Sequence, residues 1–190
     1  SGSAVDMTEL KCANAILHSY PAGEGMGGAL ADILFGDAEP GGRLAETFPV
    51  RIEDTPAYLN YISYPYVRNN VIYGEDIFVG YRWYDTRKIE PAFPFGYGLS
   101  YTRFLYGESQ LDKSSMNDAD KLTVKIPVKN IGQREGTQVL QIYVSQEQSM
   151  AIRPEKELKG FEKVQLQPGE EKTVTIMLDR QAFVYFSEEQ

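Results

Sequence analysis

Two adjacent carboxylates, Glu75 and Asp76, are the residues that first suggest acid–base chemistry. Paired carboxyl groups can divide such work when their surroundings push their proton affinities apart. Adjacency alone does not supply that arrangement, because consecutive side chains leave the backbone in different directions. Gly23-x-Gly25-x-x-Gly28 points to other chemistry. It follows a predicted strand and opens a predicted helix, the local form of a dinucleotide fingerprint, with Glu46 near the spacing for a ribose contact. Pyrophosphate would then rest on free amides at a helix N-terminus. The further alternation of strands and helices that such a fold needs is missing after residue 50, so tight packing of helix on strand is the simpler reason for these glycines. His18, the single histidine, has no serine, cysteine or acid motif beside it and reads as a hydrogen-bonded structural residue. With one histidine and one cysteine, Cys12, neither an internal disulfide nor a zinc site is expected.

The elements that must position these groups fall into two stretches of different pattern. In the first, Asp6 or Thr8 can cap a short helix over 7–12. Residues 13–20 read as a buried strand centred on Ile16 and Leu17. A helix follows, with Leu30, Ile33 and Leu34 as its apolar face and Gly36 as its C-cap. Residues 43–48 read as a further strand steadied by ion pairing of Arg43 with Glu46, and 50–72 as a loop ordered by its aromatics. Tyr58, Tyr61, Tyr64 and Tyr66 in that loop suit either a cleft lining or packing against a neighbour.

From 73 to 104 the chain carries ten aromatic residues in 32, against 12% for the whole sequence. Such side chains bury large areas with few rotors, so the segment is expected to be a packed hydrophobic strap between two domains. Pro91 and Pro94 favour an extended path there. After Thr102 the pattern changes. A strand is expected from Arg103 to Leu111, and Leu122, Val124, Ile126 and Val128 alternate with polar residues. Strands over 139–144 and 158–166, a Pro168-Gly169 turn, and alternation at Val174, Ile176 and Leu178 complete a small β-sandwich.

At 190 residues the chain is long enough for a substantial core, and its formal charge of −8 argues against nucleic acid as the main partner while suiting a neutral ligand. No apolar run approaches the roughly 20 residues that span a bilayer, and the start lacks the basic-then-apolar form of a signal peptide. A soluble protein is expected, its compartment open.

Several motifs together resemble one family. Gly-Glu-Asp-Ile-Phe-Val-Gly-Tyr-Arg-Trp-Tyr-Asp from residue 74 and Phe-Pro-Phe-Gly-Tyr-Gly-Leu-Ser-Tyr-Thr from residue 93 resemble the C-terminal half of glycoside hydrolase family 3, the β-glucosidase family. The runs 29–36, 40–49 and 156–161 agree in the same order. The resemblance implies an α/β partial sandwich over 1–102, the second half of that family's sandwich domain. It implies an all-β immunoglobulin/fibronectin III-like sandwich over 103–190, either without its last strand or with that strand supplied by another segment. Ala22-Gly23-Glu24-Gly25 departs from the family's Pro-Gly-Gln-Glu-Gly-Gly, so a sugar contact through the Gln-Glu pair is not carried over.

The resemblance also implies retaining hydrolysis of a terminal β-linked sugar, with a β-glucosidase parent ahead of a β-xylosidase. One carboxylate attacks the anomeric carbon and a second carboxyl protonates the leaving oxygen, such paired carboxylates flanking the bond about 5 to 9 Å apart. The family's nucleophilic Asp lies on a barrel domain and its acid/base Glu before the position matching residue 1, so no catalytic residue is expected here and the isolated chain is expected to be inactive. Tyr73, Glu75 and Arg82 are the candidates for lining or supporting the cleft; a structural role for the Glu75 and Arg82 charges, hydrogen bonded under the strap, is the alternative. The partners implied are a β-linked gluco-oligosaccharide or glucoside and a catalytic barrel domain on either side of this segment, with no cofactor, metal, nucleic acid or membrane. A non-catalytic carbohydrate-binding or assembly module is the competing expectation.

Overall fold

The computed structural model describes residues 2–10, 12–61 and 72–186, without the side chains of Glu9 and Tyr61. The chain divides into two compact units, one drawn from 1–35, 43–98 and 145–156, the other from 36–42, 99–144 and 157–190.

In the first unit Asp6 accepts the Thr8 amide at 2.8 Å and so caps a 3-10 turn over Thr8–Leu10, shorter than the helix expected there. The turn ends as the Ala13 amide bonds back to the Leu10 carbonyl. The strand expected over 13–20 does not form, and Ile16 and Leu17 stay 45% and 40% exposed. An apolar run becomes a strand only when a neighbour offers its ladder, and no described residue does. Tyr20, at φ 53°, then turns the chain out of extended geometry. Helix α1, Met26–Phe35, forms as expected and stops at Gly36, whose φ of +82° only glycine adopts without cost. Leu30 and Ile33 are half-buried, but Leu34 is 68% exposed and α1 buries no residue fully. The tight packing expected of Gly23, Gly25 and Gly28 is likewise absent: a Cβ on any of them meets nothing within 4 Å, because the strand they were to pack on is not there.

Residues 43–48 run beside 92–97 without becoming a strand. Leu44 donates to the Tyr97 carbonyl at 2.9 Å and accepts from Gly96 at 2.8 Å, and one bridge joins Phe48 to Phe93. Between these contacts Pro94 has no N–H to give and Gly96 bends the backbone at φ +79°, so the ladder cannot continue. The expected loop after residue 50 contains a 3-10 turn, Ile52–Asp54, and one helical turn, α2, Tyr58–Tyr61. Arg51 closes the former by an Nε bond of 3.0 Å to Asp54. Tyr64 and Tyr66 lie outside the described residues.

The aromatic stretch is not extended throughout. Helix α3, Tyr81–Arg87, occupies its middle, entered through Gly80 at φ +54° and left through Lys88 at φ +57°. Tyr84 on α3 is 3% exposed, and the Trp83 indole N–H donates to the Asp54 carbonyl at 3.0 Å. The segment 145–156 belongs to this unit: the Glu155 amide bonds Thr86 Oγ1 at 3.0 Å, Glu155 pairs with Lys88, and Lys156 lies 3.2 Å from Asp85.

The second unit is a β-sandwich. Strand β3, Leu122–Asn130, lies at the centre of one sheet, with β6, Glu171–Leu178, along one edge. Its other edge takes two short pieces, β1, Phe104–Tyr106, and β2, Gln110–Leu111, where a single strand over 103–111 was expected. Pro127 explains the break. It has no N–H to offer the edge strand, and its carbonyl accepts from Gly107 at 2.9 Å, where any Cβ would fall 2.9 Å from the proline ring. The second sheet pairs β4, Gly136–Val144, with β5, Glu157–Leu166.

The predicted alternation holds: Val124, Val128, Leu140, Leu166, Val174, Ile176, Leu178 and Ala182 form one buried cluster between the sheets. Gly160 on β5 lets the sheets approach closely, since a Cβ there would sit 2.8 Å from Ile176. Asn130, fully buried, accepts from Thr102 Oγ1 at 2.7 Å and from the Gly132 amide at 3.0 Å. Its amide nitrogen donates to the carbonyls of Arg134 and Leu166 at 2.7 and 3.0 Å. The Pro168-Gly169 turn forms with Gly169 at φ +78° and the Glu170 amide bonded to the Gln167 carbonyl at 3.0 Å.

Candidate functional site

The three candidate residues sit on one run of consecutive turns leading into α3. The Asp76 amide bonds the Tyr73 carbonyl at 3.2 Å, the Phe78 amide the Glu75 carbonyl at 2.9 Å, and the Arg82 amide the Val79 carbonyl at 3.3 Å. Asp76 holds φ 51°, a left-handed conformation that costs a side-chain-bearing residue about 1 kcal/mol. Gly74 lies close to α2, where a Cβ would meet the Asn60 side-chain amide at 2.6 Å. The turn thus runs beside α2. Its geometry leaves the Tyr73 ring 78% exposed and half-buries Glu75 and Arg82. Glu75 Oε2 is buried and has no hydrogen-bond partner, so the hydrogen bonding expected under the strap does not reach that oxygen. The open aromatic face of Tyr73 can stack on an apolar ring face, whereas the buried Glu75 oxygen is closed to a ligand here.

A second feature of the first unit was not anticipated. A cleft of about 350 Å³ opens among Asp6, Glu46, Thr47, Pro49, Pro56 and Tyr84, and contains none of Tyr73, Glu75 or Arg82. Thr47 belongs to the segment expected to be a strand, and Pro49 directly follows it. Burial, and then the nearby Asp54 charge, push the Tyr84 phenol up to about 12. Tyr84 therefore stays neutral at ordinary pH and acts as a wall, not as a base.

His18 is held by rings. Tyr20 meets it edge-on at 4.1 Å and Phe48 at 5.0 Å, while its buried Nε2 lacks the hydrogen bond expected of a structural histidine. Among the described residues no group of three His, Cys, Asp or Glu side chains is placed to hold a metal, and no helix is long and apolar enough to cross a membrane.

Comparison with known proteins places this geometry in a family. The model of the glycosyl hydrolase family 3 C-terminal domain matches residues 1–101, more than half of the chain, and that of the fibronectin type III-like domain matches 138–190. The chain belongs to glycosyl hydrolase family 3. Among its relatives, thermostable β-glucosidase B of Acetivibrio thermocellus is 50% identical over 98% of the chain, and a β-glucosidase of Kluyveromyces marxianus 46% identical over all of it. The crystal structure of the Kluyveromyces marxianus enzyme in complex with glucose superposes with a TM-score of 0.81, covering 94% of this chain and 21% of that one. The Bifidobacterium adolescentis family 3 β-glucosidase gives 0.82 at 40% identity, covering 90% and 25%. The fold is thus that of the C-terminal region of these enzymes, a partial α/β sandwich followed by a fibronectin III-like sandwich. The chain spans about a quarter of the relatives it matches, 24% and 22% of the first two.

Proposed function

We propose that the chain is the C-terminal portion of a retaining, exo-acting β-glucosidase that removes terminal β-D-glucosyl residues, and that it works as scaffold and cleft support for carboxylates carried elsewhere in the parent. The observation that carries this reading is identity of 41 to 50% with proteins named as β-glucosidases or probable β-glucosidases, spread over nearly the whole chain. A retaining mechanism needs a nucleophile and an acid/base group on opposite sides of one bond. The adjacent Glu75 and Asp76, one half-buried and the other in a strained turn, do not offer that arrangement.

On this reading the domain boundary falls at 102/103, and Tyr73, Glu75 and Arg82 lie next to bound substrate. The Tyr73 ring supplies a stacking face, while Glu75 and Arg82, both half-buried, hold the turn that carries it. The test is assay of an aryl β-glucoside with the 190-residue chain and with the longest gene product that contains it. Turnover is expected only from the longer protein. Turnover by the short chain, or none by the long one, overturns the proposal. Within the longer protein, Tyr73→Ala is expected to raise KM with kcat nearly unchanged, about five-fold for a contact of about 1 kcal/mol. Unchanged KM would remove Tyr73 from the substrate's surroundings.

A further inference from the structure

We draw no further inference here: the strongest candidate, the exposed apolar patch of Leu59, Ile72, Tyr73, Ile77 and Val79 around the half-buried Glu75 in the first unit, belongs to the site already described, and nothing in the structure shows what covers it.

Discussion

The two units handle apolar side chains in opposite ways. In the second, residues of β3, β4, β5 and β6 close on one another, and seven of them are buried in a single cluster with Ala182. In the first, the buried apolar side chains among the described residues are Met7, Phe48 and Tyr84, while Ile16, Leu17, Leu34 and Phe35 remain 40 to 85% exposed. The contrast is not one of composition, since both units are rich in apolar residues. A two-residue period specifies its own partner face, so a sandwich can complete its core from contiguous strands. A helix or an isolated extended run specifies only that one side wants cover.

The sharpest way to break this comparison is truncation of matched leucines. Leu166→Ala, at a site with no exposure, is expected to cost about 3 kcal/mol, from lost transfer energy and the cavity left behind. Leu34→Ala should change stability by no more than about 0.5 kcal/mol. Urea unfolding followed by circular dichroism reads both, and equal costs would mean that α1 is covered after all.

Asn130→Ala comes next. It strips hydrogen bonds from the Thr102 hydroxyl, the Gly132 amide and the carbonyls of Arg134 and Leu166, and should cost about 2 kcal/mol. A cost near zero would show that water replaces the side chain at the sandwich edge.

Glycines sharpen the same distinction, with opposite signs in the two units. Gly160→Ala is expected to destabilise by about 1 to 2 kcal/mol, because the new methyl meets Ile176 across the core. Gly28→Ala, inside α1 with open space around it, should stabilise by about 0.8 kcal/mol through helix propensity. Thermal unfolding of the two variants should therefore move in opposite directions.

The smallest effect is the response to pH. In the second unit, the Thr123 backbone N–H holds the Asp112 carboxyl below its usual value of 3.8, and the Gln167 backbone N–H holds Glu170 below 4.5. Lowered carboxylates contribute stability above their unfolded values and lose it as pH falls through the folded ones, so the sandwich should weaken below pH 4.5. In the first unit the Tyr84 phenol is raised from 10.0 to about 12. The folded state there retains the proton longer, so its contribution is complete below pH 10 and declines as pH climbs toward 12. Glu155, paired with Lys88 at the end of α3, is lowered likewise, so the fluorescence of Trp83, the single tryptophan, should register both the alkaline change and an acid one.

Much of the sandwich was legible beforehand because each of its cues is local. Val124, Ile126 and Val128 alternate, Pro168-Gly169 turns, and the core follows. The split of 103–111 into β1 and β2 was less visible, since it depends on Pro127 arriving opposite Gly107 from another strand. Reading 13–20 and 43–48 as strands failed for a related reason: their apolar pattern is real, but a ladder needs a second chain segment, and Pro94 and Tyr20 interrupt what contact there is. Of the candidate site, Tyr73, Glu75 and Arg82 stood out through motif resemblance. The closeness of Gly74 to the Asn60 side chain, fourteen residues earlier, could not be read from spacing.

By itself the sequence determined the family, the order of its two parts and the buried face of each long strand, because motifs and two-residue periods are written along the chain. Only the tertiary structure decided that α1 leaves its apolar side open, that Glu75 keeps one buried oxygen unbonded, and that Thr47 and Tyr84 wall a cleft. Each of those depends on which distant segment lies within a few ångströms, and packing at that range is set by the whole fold and not by neighbouring residues.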